Sequence, residues 1–338
     1  MHSFCTYFDH RYLARGLALY ESLTSHSGPF KLWILCLDQP CYDALQKINL
    51  EHARLIKLED LERGDNALLE AKKNRSLIEY YFTCTPSLML YVLNQDPGIS
   101  LLTYLDADLF FFDSPQKISE ETRNASIAIV PHRFPKQYRF LEIHGIYNVG
   151  WVSFRRDEEG LRCAKRWREQ CIEWCYDYCE EKRFGDQKYL DEWPSLYKNL
   201  VIIRQKGTDL VPWNVLQYKI SHKDGSVFID RDPLIFYHFH ALKFIKSWLI
   251  HPNLLSPGFQ SFDPVMKLIY QPYLEVLGRM QAKASEYLKH APVSAIRKGE
   301  AAVAAPPVPG ESPLRRMLLW AKGLLTKQYV ILWKGRIL

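Results

Sequence analysis

No uncharged apolar run in this chain of 338 residues approaches the roughly 18–20 residues that a bilayer-spanning helix needs. The first residues also lack the layout of a secretory signal. The expected location is therefore cytoplasmic, with any membrane contact peripheral and on the inner face. There is no internal repeat. Eight cysteines are few for this length and suit reduced thiols better than a disulfide framework. The composition, 47% hydrophobic and 24% charged, excludes wholesale disorder, collagen and a simple coiled coil. A chain of this size buries a substantial core without staples.

Acidic residues are missing altogether after Glu311. Arg315, Arg316, Lys322, Lys327, Lys334 and Arg336 follow it, and they account for the whole net charge of +6. The preceding body carries 38 charges of each sign. A neutral body argues against a nucleic-acid surface, which shows a basic footprint.

Three segments are expected: a globular unit over 1–290, an Ala/Pro-rich linker over 291–313, and a basic amphipathic tail over 314–338. On a helical wheel the six tail charges share about half the circle. Leu324, Leu325, Ile331 and Leu332 lie opposite, and Trp320 and Trp333 add interfacial aromatics. That reads as an anchor on an anionic membrane surface, with docking on the body or a partner as the alternative.

Within 1–290, strand and helix signals alternate, which predicts βαβ units and a mainly parallel sheet. Strands are expected at Phe4–Phe8, Lys31–Leu37, Ala53–Leu58, Ser100–Tyr104, Ser126–Val130 and Gly150–Phe154. Helices are expected at Leu13–Thr24, Cys41–Leu50, Leu77–Leu93 with a break near Pro86, and Leu161–Glu181. In the last of these, Cys171, Cys175 and Cys179 recur every fourth residue, so they would share one stripe. Core packing explains that stripe better than a metal site, because the spacing matches no cluster motif.

The most informative stretch is LLTYLDADLFFFDSP, residues 101–115. An apolar strand ends abruptly in Asp106-Ala107-Asp108. Two such carboxylates are costly to bury unless compensated. A divalent cation compensates them, since Mg²⁺ and Mn²⁺ prefer hard oxygen ligands. The carboxyl end of a strand is also where α/β sheets bind ligands. A solvated turn is the alternative, and the apolar runs on both sides weigh against it. A haloacid-dehalogenase-type phosphatase is disfavoured, because the pair lies a third of the way along and Phe110 occupies the Thr/Val place.

Taken with six other motifs in order, this pair makes the chain resemble the GT-A (Rossmann-like) nucleotide-sugar glycosyltransferases. The resemblance is to the retaining family of glycogenin and bacterial lipopolysaccharide galactosyl- and glucosyltransferases, over about residues 1–250. The motifs are FCTYFDHRYLARGLALYESL (4–23), Arg75, Asp106-Ala107-Asp108, YNVGWVSF (147–154), FGDQKYLDEW (184–193), LVPWN (210–214) and YHFHALKFIKSW (237–248). Val149, Ala241 and Ser247 depart from the family pattern.

The resemblance implies the fold and the roles that follow. Thr6, Tyr7, Asp9, Tyr12, Arg75, Asp106, Ala107, and one of Lys243 and Lys246, would hold the nucleotide. Asp106, Asp108 and His238 would hold Mn²⁺ or Mg²⁺. His240 is an alternative ligand, because it faces the same side of a strand. Asn148, Gly150, Asp186 and Trp213 would meet the donor sugar, with Asp186, Gln187 and Asn148 nearest the chemistry.

The implied reaction moves a sugar from a nucleotide diphosphate sugar, by resemblance a UDP-sugar, to a saccharide or lipid-linked acceptor. The expected outcome is retention. The cation would stabilise the diphosphate leaving group. Two other readings stand beside it. One is a non-catalytic scaffold that binds sugar nucleotides. The other is an inverting transferase using Asp191 or Asp209 as base.

Overall fold

The computed structural model describes residues 1–254, 263–288, 329–333 and 336–337. Strands β1 (His2–Phe8), β2 (Phe30–Cys36) and β3 (Ala53–Lys57) are parallel neighbours, joined by α1 (Leu13–His26) and α2 (Gln39–Ile48). Helices α3 (Leu58–Glu62), α4 (Asn66–Lys73) and α5 (Leu77–Gln95) lead to β4 (Leu101–Leu105), which returns parallel to β1. Next come β5 (Leu109–Phe111), α6 (Gln116–Ser119), β6 (Ile127–Pro131), β7 (Tyr147–Arg155), α7 (Glu158–Glu173), α8 (Trp193–Leu196) and β8 (Leu200–Ile202).

Seven of these strands form one sheet in the order β3-β2-β1-β4-β7-β6-β8. Only β7 runs against its neighbours. This is the expected mainly parallel sheet flanked by helices. Apolar side chains fill both faces. One core gathers α1, α2 and the helix Gln271–Leu288, with Leu13, Leu17, Leu45, Tyr273 and Leu277 among its members. The other gathers α5 and α7 through Leu88, Met89, Val92, Cys163 and Trp167.

The helix starts have ordinary local causes. Asp38, Asp65 and Asp157 cap α2, α4 and α7 by accepting from the backbone amides of Cys41, Leu68 and Gly160. Ser76 and Glu79 form a reciprocal capping box at α5. The expected break in α5 is absent, because the helix passes unbroken through Pro86.

The remaining strands make smaller sheets. β9 (Ile220–Lys223), β10 (Ser226–Ile229) and β11 (Asp232–Pro233) form an antiparallel sheet, and β12 (Phe236–His238) pairs with β5. β13 (Lys243–Lys246) and β14 (Leu249–His251) are joined by β15 (Val330–Trp333) and β16 (Arg336–Ile337) from the far end of the chain. Between them, α9 (Asp263–Val265) continues through a π turn at Met266–Tyr270 into α10 (Gln271–Leu288).

Two expectations need correction. First, α7 ends at Glu173, not Glu181. Arg75 donates to the carbonyls of Ile172 and Glu173 and stacks on the Tyr176 ring at 3.9 Å, so it closes the helix from outside. Cys171 and Cys175 are buried and Cys179 is exposed, so no helical stripe of three exists. Second, residues 330–333 of the expected amphipathic tail are a strand and not a helix. Val330-Ile331-Leu332-Trp333, with two β-branched members, is a strand paired with β14. The linker 291–313 and tail residues 314–328 lie outside the described residues. Among the described residues, no helix is long and apolar enough to cross a membrane.

Candidate functional site

Asp106-Ala107-Asp108 is the whole connection between β4 and β5. Backbone bonds hold it on every side. The Asp106 amide donates to the Gly150 carbonyl at 3.1 Å, and the Asp108 carbonyl accepts from Phe239 at 3.0 Å. The Asp106–Gly150 bond extends the β4–β7 pairing past Leu105–Trp151, and on the other side of β7 the β6–β7 pairing jumps from Ile129–Val152 to Val130–Asn148. Such irregularities re-aim groups beside active sites. β12 then sets His238 opposite Leu109, and its amide donates to the Leu210 carbonyl at 2.7 Å.

The result is a convergent acid–imidazole cluster. His238 Nε2 lies 3.0 Å from Asp108 Oδ1 and 3.5 Å from Asp106 Oδ2. One ligand atom from each of the three residues lies within 4.8 Å of the others. Two carboxylates and an imidazole make a hard, anionic donor set of the kind that holds Mg²⁺ or Mn²⁺. His240 is not in the cluster, because the chain leaves β12 at His238. Its ring packs on Trp213 instead.

The charges respond to this crowding. Burial pushes the Asp108 carboxyl up, but the charged His238 beside it wins and holds it at about 2. Asp106 is pushed up to about 6 by desolvation in the cleft, with His238 pulling downward. Burial lowers the His238 pKa, yet Asp108 outweighs it and raises the group well above the usual imidazole range. A proton on His238 thus does part of what a cation would do.

Asn148 and Gly150 lie against His238. Asn148 Oδ1 accepts from the Gly150 amide at 3.0 Å, which orients its amide group. Nδ2 then faces both oxygens of Asp209, at 3.0 and 3.2 Å, and His238 Nδ1 at 3.2 Å. A Cβ at Gly150 would come within 3.0 Å of that ring nitrogen. The ring cannot retreat, since Asp108 pins its other side. This close approach explains the glycine.

Asp186 is buried behind the cluster, and its carbonyl is held by the Trp167 indole at 2.7 Å. Burial raises its carboxyl pKa to about 7, while the Thr85 hydroxyl pulls the other way and Asp106 pushes further up. Tyr7 lies near enough to both acids to feel their charge. Its hydroxyl is 3.3 Å from Thr85 Oγ1, and both carboxylates raise its pKa beyond the effect of burial. Tyr104 donates to Asp106 at 2.8 Å. Gln187 is half-buried beside Asp186 and donates to the His144 carbonyl at 3.2 Å.

The structure also places the other expected residues. Thr6 is fully buried, and its hydroxyl has no partner. Asp9 binds the backbone amides and guanidinium of its own loop, through Arg11. Tyr12 is exposed next to Asp108 and stacks under Arg15 at 4.5 Å. Ala107 is packed into the core. Trp213 is half-buried against His132, Phe134 and His240. Lys243 lies near enough to His240 to lower its pKa, whereas Lys246 is at the far end of β13. Arg75 is engaged at the end of α7, away from the contacts that build the cluster.

Ala241 has φ +53°, a left-handed conformation that glycine adopts freely. That is a physical reason for the glycine usual at its place in the resemblance. Three neighbours of the site were not singled out from the sequence: Thr85, Arg15 and His132. Thr85 sits inside a long apolar helix. Arg15 reaches the Leu242 carbonyl at 2.9 Å and bears on Asp108. His132 is buried with neither ring nitrogen bonded. Burial holds its pKa at about 4.

No family model matches the chain. Two uncharacterized proteins of Bacillus subtilis (strain 168) do. YfnD is 33% identical over 279 residues, spanning 82% of this chain and 88% of its own length. YfnF is 34% identical over 252 residues, spanning 72% and 82%. The chain belongs to their family.

Solved structures align more distantly. The galactosyltransferase LgtC, in complex with donor and acceptor sugar analogs, matches at 14% identity and TM-score 0.49, over 82% of this chain and 95% of LgtC. Mouse xyloside xylosyltransferase 1 matches at 14% and 0.46, over 71% and 98%. The glycosyltransferase GlyE of Streptococcus pneumoniae TIGR4 matches at 14% and 0.45, over 85% and 63%.

Proposed function

We propose that the protein is a divalent-metal-dependent glycosyltransferase that takes its sugar from a nucleotide diphosphate donor, with UDP as the nucleotide, and transfers it with retention. The observation that carries this reading is the convergence of Asp106, Asp108 and His238 at the carboxyl end of β4, in a GT-A sheet. Asp106, Asp108 and His238 would hold the cation, Mn²⁺ or Mg²⁺. Once bound, it would neutralise the charge growing on the departing diphosphate. Tyr7, Asp9 and Tyr12 line the β1–α1 side, where the nucleotide would lie, and Lys243 adds a positive charge. Asp186 would hold the sugar hydroxyls, and Gln187 would stand near the anomeric carbon.

Retention is favoured by what the two candidate bases are doing. Asp191 accepts from the Ile146 amide at 2.7 Å and pairs with Lys188 at 2.8 Å. Asp209 is fully buried against Asn148. Neither is free to take a proton from an acceptor. The test is a screen of UDP-sugars with Mn²⁺, and NMR of the product anomer. Retained configuration is expected. An inverted product, or no turnover with any donor, would refute the mechanism or the enzyme reading respectively.

The acceptor side of the proposal is a lipid-linked saccharide met at an anionic membrane surface. The four-stranded sheet supports it. Register places Ser247-Trp248 and Trp333 at one end, because Leu249 pairs with Ile331. There Trp248 is 47% and Trp333 65% exposed, beside exposed Lys246 and Arg336. Adjacent aromatic tips with basic neighbours suit the headgroup layer of a bilayer. Sedimentation with phosphatidylglycerol vesicles should therefore retain the full chain. Trp248→Ala with Trp333→Ala should release it by roughly tenfold, and equal sedimentation of both would defeat the idea.

A further inference from the structure

Between β6 and β7 the chain forms a 3₁₀ helix, Lys136–His144, in which no residue is buried. Side chains three apart eclipse one another in such a helix. That period sorts the sequence KQYRFLEIH into three rows. Tyr138, Leu141 and His144 are half-buried, and the His144 ring packs on Phe184 at 4.6 Å. Gln137, Phe140 and Ile143 are exposed, Phe140 by 69% and Ile143 by 55%. Lys136 and Arg139 are exposed too, with Glu142 half-buried beyond them. Among the described residues, neither cation has an ion-pair partner. The outer surface is therefore an apolar row beside a basic one. Exposed Ile146 extends the apolar side past Gly145.

This surface is fastened to the loop that carries Asp186 and Gln187. Gln187 donates to the His144 carbonyl at 3.2 Å, and Lys188 donates to the Glu142 carbonyl at 2.7 Å. The Ile146 amide donates to Asp191 at 2.7 Å. Between these bonds Gly145 passes so close that a Cβ there would come within 3.0 Å of the Gln187 side chain. Three anchors hold the rows in one orientation, adjoining Gln187. Single apolar side chains on a surface need no explanation. An eclipsed pair beside two unpaired cations, stitched to a site loop, does.

We propose that this helix seats the carrier of the acceptor: Phe140, Ile143 and Ile146 take a lipid chain, and Lys136 and Arg139 take the phosphate that joins it to the saccharide. This rests on the reading of the protein as a glycosyltransferase with a lipid-linked acceptor. Apolar side chains beside cations complement an anionic amphiphile. A plain saccharide would leave the apolar row unused. The acceptor must also meet the donor sugar beside Gln187, and a carrier on the adjoining surface holds its saccharide end there. The Trp248 and Trp333 face has the separate task of meeting the bilayer.

The probe is dodecyl phosphate below its micelle concentration, added to the full chain. Inorganic phosphate is the control without a chain, and dodecyl maltoside the control without a charge. The wild type is expected to bind dodecyl phosphate more tightly than either. Phe140→Ser with Ile143→Ser should weaken that binding at least about tenfold. Lys136→Gln with Arg139→Gln should remove the preference over dodecyl maltoside. Trp248→Ala with Trp333→Ala should leave the affinity unchanged. UDP binding with Mn²⁺ should be the same in every variant, which reports an intact fold and donor site. A photoreactive dodecyl phosphate should label residues 136–146 of the wild type.

Labelling elsewhere, or equal affinity in the Phe140/Ile143 variant, overturns the proposal. So does a variant that keeps dodecyl phosphate but leaves phosphatidylglycerol vesicles, because the surface then faces the bilayer. A variant that keeps dodecyl phosphate but turns a dimer into a monomer assigns the surface to a second copy of the chain instead. A wild type that binds UDP but not dodecyl phosphate refutes this role for the helix alone. A wild type that binds no UDP refutes the transferase reading beneath it.

Discussion

Asp108→Ala is expected to abolish Mn²⁺-dependent binding of UDP, with the apparent affinity falling more than about 100-fold. That exceeds the roughly 10–100-fold lost when a group that only supports a ligand is removed. The reason is geometric. Asp108 Oδ1 is the oxygen nearest His238 Nε2, at 3.0 Å, and Asp106 alone stands at 3.5 Å. Removing Asp108 leaves two protein ligands and deletes the carboxylate that stays ionised most readily. The fold should survive. The turn is held by the backbone of Asp106, Asp108 and Phe239, which the substitution leaves intact. The cost in the metal-free state is the lost partner of a buried imidazolium, and Asp106 partly replaces it.

Titration calorimetry of UDP with and without Mn²⁺, on wild type and variant, reads the difference. Metal-dependent binding that persists in Asp108→Ala would remove the pair from the donor site. It would reduce Asp106 and Asp108 to a turn between two strands.

The sequence carried this site well because its main parts are local. An apolar strand that stops at two carboxylates, and a histidine directly after the apolar run Leu234-Ile235-Phe236-Tyr237, are visible without coordinates. So were most strands of the sheet, whose apolar runs fall within a few residues of the observed limits. The misplacements share a different cause, which is contact at long range. The extent of α7 is set by Arg75, a hundred residues earlier in the fold's own logic, and not by any signal at Glu173. One residue therefore explains both the lost cysteine stripe and an arginine engaged away from the cluster. The last strands were read as a helix because charge spacing was all that was visible. The partner of β15, β14, lies about eighty positions away. His132 carries no local signal either, since it owes its interest to burial near Gln187 and His238.

Asp186→Asn should separate stability from chemistry in a pH-dependent way. Burial raises the Asp186 carboxyl from 3.8 to about 7. Between those values the native state keeps a proton that the unfolded chain has released. Wild-type stability therefore declines as pH rises from about 4 to about 7, and is level above. A shift of about three pH units corresponds to about 4 kcal/mol. An asparagine is neutral throughout, so it escapes this penalty.

The variant should match the wild type below about pH 4 and exceed it at pH 8, by up to several degrees in Tm. Transfer should move the opposite way. If the ionised carboxylate holds the donor sugar, wild-type turnover rises as pH passes about 7, and Asp186→Asn loses at least about 100-fold at pH 8. A functional group kept charged in an apolar setting costs the fold what it gives the reaction. Melting curves at pH 5 and pH 8, beside turnover at pH 8, test both halves. A variant no more stable at pH 8 than at pH 5, relative to wild type, would show that Asp186 is not ionising inside a desolvated site. Undiminished turnover would show that its charge is not used.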